Sequence, residues 1–236
     1  FWEFLIEEVG LSKDRLYITV FEGDEKNNLP KDEQAHKVWT DLGVDKDHIH
    51  YYDATKNWWS RAGVPDNMPA GEIGGPDSEV FYDFDPDIKL DTHNQSEFKN
   101  EKCHINCDCG RYLEIGNSVF MQYIKNDDGT FSPLPKQNVD FGGGLERIAA
   151  ASQNKSDIYE IDTLLPVIKE VEKAGDKKYK DNNRFSMRVI SDHLRAATFM
   201  IAEGLEPGNK MQSSLLRRLL RRSAVKIHGL GGGLTP

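Results

Sequence analysis

Asn138-Val139-Asp140-Phe141-Gly142-Gly143-Gly144-Leu145-Glu146-Arg147-Ile148-Ala149 is the stretch on which the reading of the whole chain turns. A carboxylate leaving a strand, three residues without side chains, and then Leu-Glu-Arg opening a helix make a strand-to-helix turn. Such a turn lets a flat or phosphorylated ligand approach the backbone while Arg147 reaches an anion. Spacing alone does not decide it. No Lys-Ser/Thr follows the glycines, as a P-loop needs, and no GxGxxG is present, so both common nucleotide fingerprints fail. The alternative is a plain glycine-rich turn with Arg147 held in a salt bridge.

Working outward, residues 16–21, rich in β-branched and aromatic side chains, predict a strand, 30–42 a helix stopped by Gly43, and 49–53 a short strand. Residues 57–76, punctuated by Gly and Pro, read as a loop holding Trp58 and Trp59. Strands are expected over 79–84 and over 112–124, the second ending at the turn signal Asp127-Asp128-Gly129. Beyond the glycines the apolar period becomes helical, over 145–153, 158–173, 185–203 and 211–228. The expected fold is therefore α+β, a mostly antiparallel sheet with flanking helices over 1–155, followed by an all-helical part over 156–236.

The chain has 236 residues with 39 acidic and 30 basic side chains, a net charge of −9. That is room for one large domain or one and a half smaller ones. No apolar run approaches the ~18 residues of a membrane helix, no signal peptide is legible, and a cytoplasmic location is the expectation. The charge is uneven: from Arg184 to Lys226 nine Lys or Arg face three acids, a local +6 that leaves −15 for the rest. A basic segment on an acidic body is the arrangement for meeting a polyanion such as RNA. On the helix over 211–228, Arg217, Arg218, Arg221, Arg222 and Lys226 cover roughly half the circumference, and leucines 215, 216, 219 and 220 mostly occupy the other side. Residues 1–10 read as the last turns of an amphipathic helix closed by Gly10, with no cap before it, and Gly231-Gly232-Gly233-Leu234-Thr235-Pro236 carries no core pattern. The expectation is a piece of a longer polypeptide.

All three cysteines fall in Cys103-His104-Ile105-Asn106-Cys107-Asp108-Cys109. Thiolates at i, i+4 and i+6 can converge in a tight loop, with His104 or His93 as a fourth ligand to Zn²⁺. Reduced cysteines in a surface loop without metal are the alternative.

The glycine-rich stretch resembles the third signature motif of the class II aminoacyl-tRNA synthetases, in particular the alanyl-tRNA synthetase family. The resemblance continues through 113–123 (Leu-Glu-Ile-Gly-Asn-Ser-Val-Phe-Met-Gln-Tyr), 133–136 (Pro-Leu-Pro-Lys), Asn57-Trp58-Trp59 and 75–83 (Gly-Pro-Asp-Ser-Glu-Val-Phe-Tyr-Asp). It also covers 188–197 (Arg-Val-Ile-Ser-Asp-His-Leu-Arg-Ala-Ala) and 215–222 (Leu-Leu-Arg-Arg-Leu-Leu-Arg-Arg), which look like the segment that handles the tRNA acceptor stem.

The resemblance implies ATP- and Mg²⁺-dependent activation of alanine and transfer of the alanyl group to tRNA(Ala). It implies that Asp140 holds the alanine ammonium, that Asn117 and Trp59 line the amino-acid pocket, and that Arg147 contacts the ATP γ-phosphate. Gly142 and Gly144 would let the nucleotide lie against the backbone. For Trp59, simple packing beneath the loop is the competing role. Asn209 resembles the family asparagine at the acceptor stem, and Arg217, Arg218, Arg221 and Arg222 follow it. The chain departs from the family where Phe141-Gly142-Gly143-Gly144 replaces Thr-Gly-Met-Gly, where Gly116 replaces Trp, and where Ser213-Ser214 replaces Gly-Tyr. The family's first two motifs, with the arginine that grips the ATP α-phosphate, and its editing domain have no counterpart here. The chain alone is thus expected to be inactive and to need the remainder of the synthetase. Two rivals stay open: a non-catalytic nucleotide- and RNA-binding fragment or split subunit that needs a partner chain, and a zinc-dependent interaction module built on Cys103, Cys107 and Cys109.

Overall fold

The computed structural model of the protein describes residues 1–233. The expected tail therefore runs out of view at Leu234-Thr235-Pro236, which lie outside the described residues. The chain forms two compact units, Phe1–Ser156 and a second that begins at Asp157.

The first unit is built on a six-stranded sheet. Its strands are β1 (Leu16–Phe21), β2 (Ile49–Tyr52), β3 (Trp58–Ser60), β4 (Ile73–Asp83), β5 (Tyr112–Lys125) and β6 (Phe131–Gly143). They lie in the order β2-β1-β4-β5-β6, with β3 also paired to β4. β1 and β2 run parallel, and every other pairing is antiparallel. Helix α1 (Glu33–Asp41) makes the crossover between the parallel pair, as a parallel connection requires. It is capped by Asp32, whose carboxylate accepts the Ala35 N–H at 2.8 Å.

Residues 57–76 are not wholly a loop: β3 occupies 58–60 and β4 begins at Ile73. Gly74-Gly75-Pro76 reads as a breaker in sequence, yet in the sheet it forms the bulge between the Gly74 and Asp77 registers. There a missing side chain and a missing N–H are both tolerated. Gly75 is required, because a Cβ on it would stand 1.8 Å from the Phe120 carbonyl oxygen of β5. β6, with prolines at 133 and 135, pairs only with β5 among the described strands, and an edge strand accepts proline. Trp58 turns into the core with Phe21, Leu29 and Met68.

One face of the sheet carries Ile18, Val20 and Val80, all buried. Trp39 of α1 lies on the same side, its indole N–H donating to Ser78 Oγ at 2.8 Å. Sheet residues directly opposite one another share a face, so Gly116, registered with Val80, also belongs here. The Phe1 ring fills the space over it, and a Cβ on Gly116 would meet that ring at 2.5 Å. The tryptophan-to-glycine departure is therefore compensated on the side away from Asn117. After the sheet, α2 (Leu145–Ser152) starts at Gly144.

The second unit's described elements are helical: a short 3₁₀ turn at Ile158–Glu160, then α3 (Leu165–Gly175), α4 (Asn183–Ala202) and α5 (Met211–Gly229). The helix expected from 158 begins instead at Leu165, because Pro166 sits in its first turn, where the lost N–H costs nothing. Ile168, Val171, Met187, Ile190 and Leu230 form its buried cluster. Beside it Arg188 donates to Asp157 at 2.6 Å and to the Tyr179 hydroxyl at 2.7 Å, so that one cation of the basic segment is structural.

Candidate active site

Strand alternation decides which residues can meet. Glu79 stands opposite Thr19 on one side and Asn117 on the other, Val119 lies between Asp77 and Asp140, and Asn117 lies opposite Gly142. Thr19, Asp77, Glu79, Asn117, Asp140 and Gly142 therefore share the face opposite α1.

That face is joined by side-chain hydrogen bonds. The Asn57 amide donates to Thr19 Oγ1 at 2.9 Å and to Asp77 Oδ1 at 3.0 Å. The Asn117 amide donates to Asp77 Oδ2 at 3.3 Å, and the Thr19 hydroxyl to Glu79 Oε2 at 3.0 Å. Asp77 and Glu79 are buried. Burial is the main cause that lifts the Asp77 carboxyl from 3.8 to about 6, against hydrogen bonds from Asn57 and Asn117 that lower it. Burial likewise raises Glu79 from 4.5 to about 8, helped by the neighbouring charges of Asp77 and Glu114. The Oδ1 atoms of Asn57 and Asn117 are shut off from solvent without a hydrogen-bond donor. The face thus offers more acceptors than donors, which suits a cationic ligand group.

Asp140 and Gly142 lie on the exposed part of β6. A Cβ on Gly142 would meet nothing within 4 Å and its backbone is in no strained region, so the fold does not require glycine there. At Gly144 a Cβ would crowd the Arg147 side chain at 3.1 Å. Arg147 Nη1 donates to the Glu114 carboxylate at 2.7 Å and to the Glu114 carbonyl at 3.0 Å. This half-exposed pair is worth little by itself, but it aims the guanidinium, and the Nε and Nη2 donors take no part in it. Trp59, at 41% exposure, is not the packed member of its pair; Trp58 is, at 6%.

The cysteine loop reaches this face through Asn106, whose amide donates to Glu79 Oε2 at 3.1 Å. His104 Nδ1 lies 3.1 Å from the Tyr52 hydroxyl, whereas His93 Nδ1 lies 3.7 Å from Cys107 Sγ, so the loop gathers His93 rather than His104 to its thiols. On α5, Arg217, Arg218, Arg221 and Arg222 are all exposed and line a groove of about 800 Å³ together with Asn209 and Lys226. Arg217 donates to the Asn209 amide oxygen, and Lys226 lies over the Phe185 ring. Among the described residues none of these four arginines forms a salt bridge. The Asp77–Glu79 network escaped the sequence reading. Its signal was two acids alternating with Ser78 and Val80 inside a strand, a pattern too costly for a plain core position.

The sheet and the strand-to-helix turn define a class of protein: the sequence matches the family described as tRNA synthetases class II (A) over residues 1–234, and the chain belongs to that family. Within it, the chain is 40% identical over 238 residues to the alanine–tRNA ligase of Borreliella afzelii (strain PKo), covering 98% of this chain and 37% of that protein. It is 40% identical over 238 residues to the alanine–tRNA ligase of Treponema denticola, covering 98% and 36%, and 40% identical to that of Anaeromyxobacter dehalogenans, covering 99% and 25%. The chain thus spans about a third or less of the length of the curated relatives it matches.

The raised carboxyls make stability depend on pH. A carboxyl whose folded value lies above its unfolded one contributes stability that is fully present below the unfolded value and is lost as pH rises through the folded value. For Glu79 that window runs from 4.5 to about 8. Glu79→Gln keeps an acceptor for Thr19 but removes the titration. Urea unfolding should therefore give a wild-type stability that falls relative to Glu79→Gln by on the order of 2–4 kcal/mol between about pH 5 and about pH 9. Parallel pH profiles for the two proteins would contradict the burial of a titrating Glu79.

Proposed function

We propose that this chain supplies the ammonium-binding and distal-phosphate wall of an alanine–tRNA ligase active site, together with a helical surface for the tRNA acceptor stem. The observation that carries the reading is that Asp140, Asn117 and Gly142 share one sheet face, with the Asn117 Oδ1 lacking a donor. An alanine ammonium between Asp140 and Asn117 would provide that donor and pair with the carboxylate. The nucleotide would lie along Gly142, where the backbone is open, and Arg147 would turn its Nε and Nη2 donors to the γ-phosphate of the MgATP substrate. Trp59 would close the amino-acid side of the pocket.

In this reading the alanine carboxylate attacks the α-phosphorus of ATP, and the bond to pyrophosphate breaks. A ribose hydroxyl at the tRNA terminus then attacks the alanyl carbonyl, and AMP leaves. The chemistry asks little acid or base of the protein; it asks for positioning and for charge on phosphate. The family match over residues 1–234 supports the reaction class, and the alanine–tRNA ligase relatives support the amino acid. A cytoplasmic site of action follows from the same reading; among the described residues no helix is long and apolar enough to cross a membrane. For RNA, the support is the exposed arginine row of α5 beside Asn209.

In a polypeptide of the relatives' full length that contains this segment, Asp140→Asn should raise the alanine KM in pyrophosphate exchange by about 30-fold, the ~2 kcal/mol of a charged hydrogen bond. The ATP KM should stay within a few-fold. An alanine KM indifferent to the change would remove Asp140 from the pocket. For the helical part, Arg217→Ala with Arg221→Ala should weaken binding of an acceptor-stem RNA hairpin and lower the slope of log K against log salt by about one to two. Unchanged affinity and slope would take α5 out of the interface.

A further inference from the structure

The connection between β4 and β5, residues 84–111, is far longer than the ~12–15 residues beyond which irregular loops become uncommon, and it contains neither helix nor strand. Its foot is well held. Phe84 N–H donates to the Arg111 carbonyl at 2.9 Å, and Arg111 clasps the fully buried Asp83 through Nη2 at 2.7 Å and Nε at 3.1 Å. Past that foot the loop has almost nothing apolar to pack. Between 86 and 110 the buried residues are Ile105, Cys107 and Cys109 alone. A loop of this length ordered by three buried residues needs a further constraint.

The chain's three cysteines all lie in this loop, and their sulfurs gather with a ring nitrogen of His93 so that all four atoms lie within 4.8 Å of one another. The histidine is oriented for the task. His93 Nε2 lies 2.9 Å from the Glu101 carbonyl, an oxygen that can only accept, so Nε2 carries the proton. That leaves the Nδ1 lone pair free, and Nδ1 is the atom 3.7 Å from Cys107 Sγ. A metal-binding histidine is held in this way, with its second nitrogen donating to a backbone carbonyl. Three sulfurs and one imidazole are soft to borderline donors, which favour Zn²⁺ over the hard cations. In a tetrahedral zinc site with Zn–S near 2.3 Å, ligand atoms stand about 3.8 Å apart, so the widest separation here would close by about 1 Å.

We propose that His93, Cys103, Cys107 and Cys109 bind one structural Zn²⁺, which takes the place of the apolar core that this loop lacks. His104 is left out of the set. Asn106, between the ligands, donates its amide to Glu79 Oε2 at 3.1 Å, and its N–H approaches the Tyr52 hydroxyl. The ion would thus fix the segment that closes one end of the polar network described above. The site does not rest on the proposed aminoacylation role.

The test is elemental analysis of the 236-residue chain expressed in zinc-containing medium and purified without chelator. The expected result is about one zinc per chain, falling at least tenfold in Cys107→Ser and in His93→Ala and unchanged in His104→Ala. Because a ligand variant can fail to fold, the wild-type protein is also reloaded with Co²⁺ after chelation. A tetrahedral site with three thiolates should give strong visible absorption together with sulfur-to-cobalt charge transfer in the near ultraviolet. A folded wild-type chain with zinc near zero and no such spectrum would overturn the site. Zinc kept by His93→Ala and lost by His104→Ala would overturn the ligand set.

Discussion

Asp77 and Glu79 are two carboxyls placed two residues apart on a central strand, both buried, and the first unit is arranged around making that tolerable. Burying an ionised carboxylate without partners costs several kcal/mol, and the protein meets the cost in two ways. Burial raises both carboxyls so that protonation relieves part of the charge, and Thr19, Asn57, Asn106 and Asn117 donate to what remains. Those donors come from β1, the approach to β3, the β4–β5 connection and β5. Each must hold its register for the network to close. A one-residue slip of β5 would send Asn117 to the α1 face and leave Asp77 without one of its donors.

The same constraint gives the sheet two unlike faces. Toward α1 it carries the buried Ile18, Val20 and Val80, covered by Trp39 and, at Gly116, by the Phe1 ring. On the other side it is polar and acceptor-rich, and from it β6 continues into the glycines and α2. The open space at Gly142 and the free edge of the Arg147 guanidinium follow that polar face rather than any need of the core. Polar groups that packing does not explain mark where a fold is kept for a ligand.

Much of the fold was legible. Leu16–Phe21 and Tyr112–Lys125 carry β-branched and aromatic runs, and α4 and α5 show a clear helical period. The start of β4, the whole of β3 and the first half of β6 were not, for one physical reason: Gly74, Gly75, Pro76, Pro133 and Pro135 punctuate sequence as breakers, whereas a bulge and a sheet edge can hold them. Of the site, Asp140, Gly142 and Arg147 were suggested by the residue types of the strand-to-helix turn, whereas their roles, and Asn117 altogether, came only through the resemblance to the synthetases; periodicity does not say which strands become neighbours. The registry of β4, β5 and β6 supplies that. His93 could not be told from His104 by spacing, because the choice depends on where Tyr52 lies. In the second unit the basic segment includes Arg188, whose charge is paired with Asp157, so the charge left for a polyanion is smaller than the sequence implies.

The most direct measurement of the central claim is a crystal structure of a polypeptide containing this segment with a non-hydrolysable sulfamoyl analogue of alanyl-adenylate. The ligand ammonium should lie within about 3 Å of both the Asp140 carboxylate and Asn117 Oδ1, on the face that carries Asp77 and Glu79. A ligand bound on the α1 side of the sheet, or with its ammonium away from Asp140, would contradict that claim.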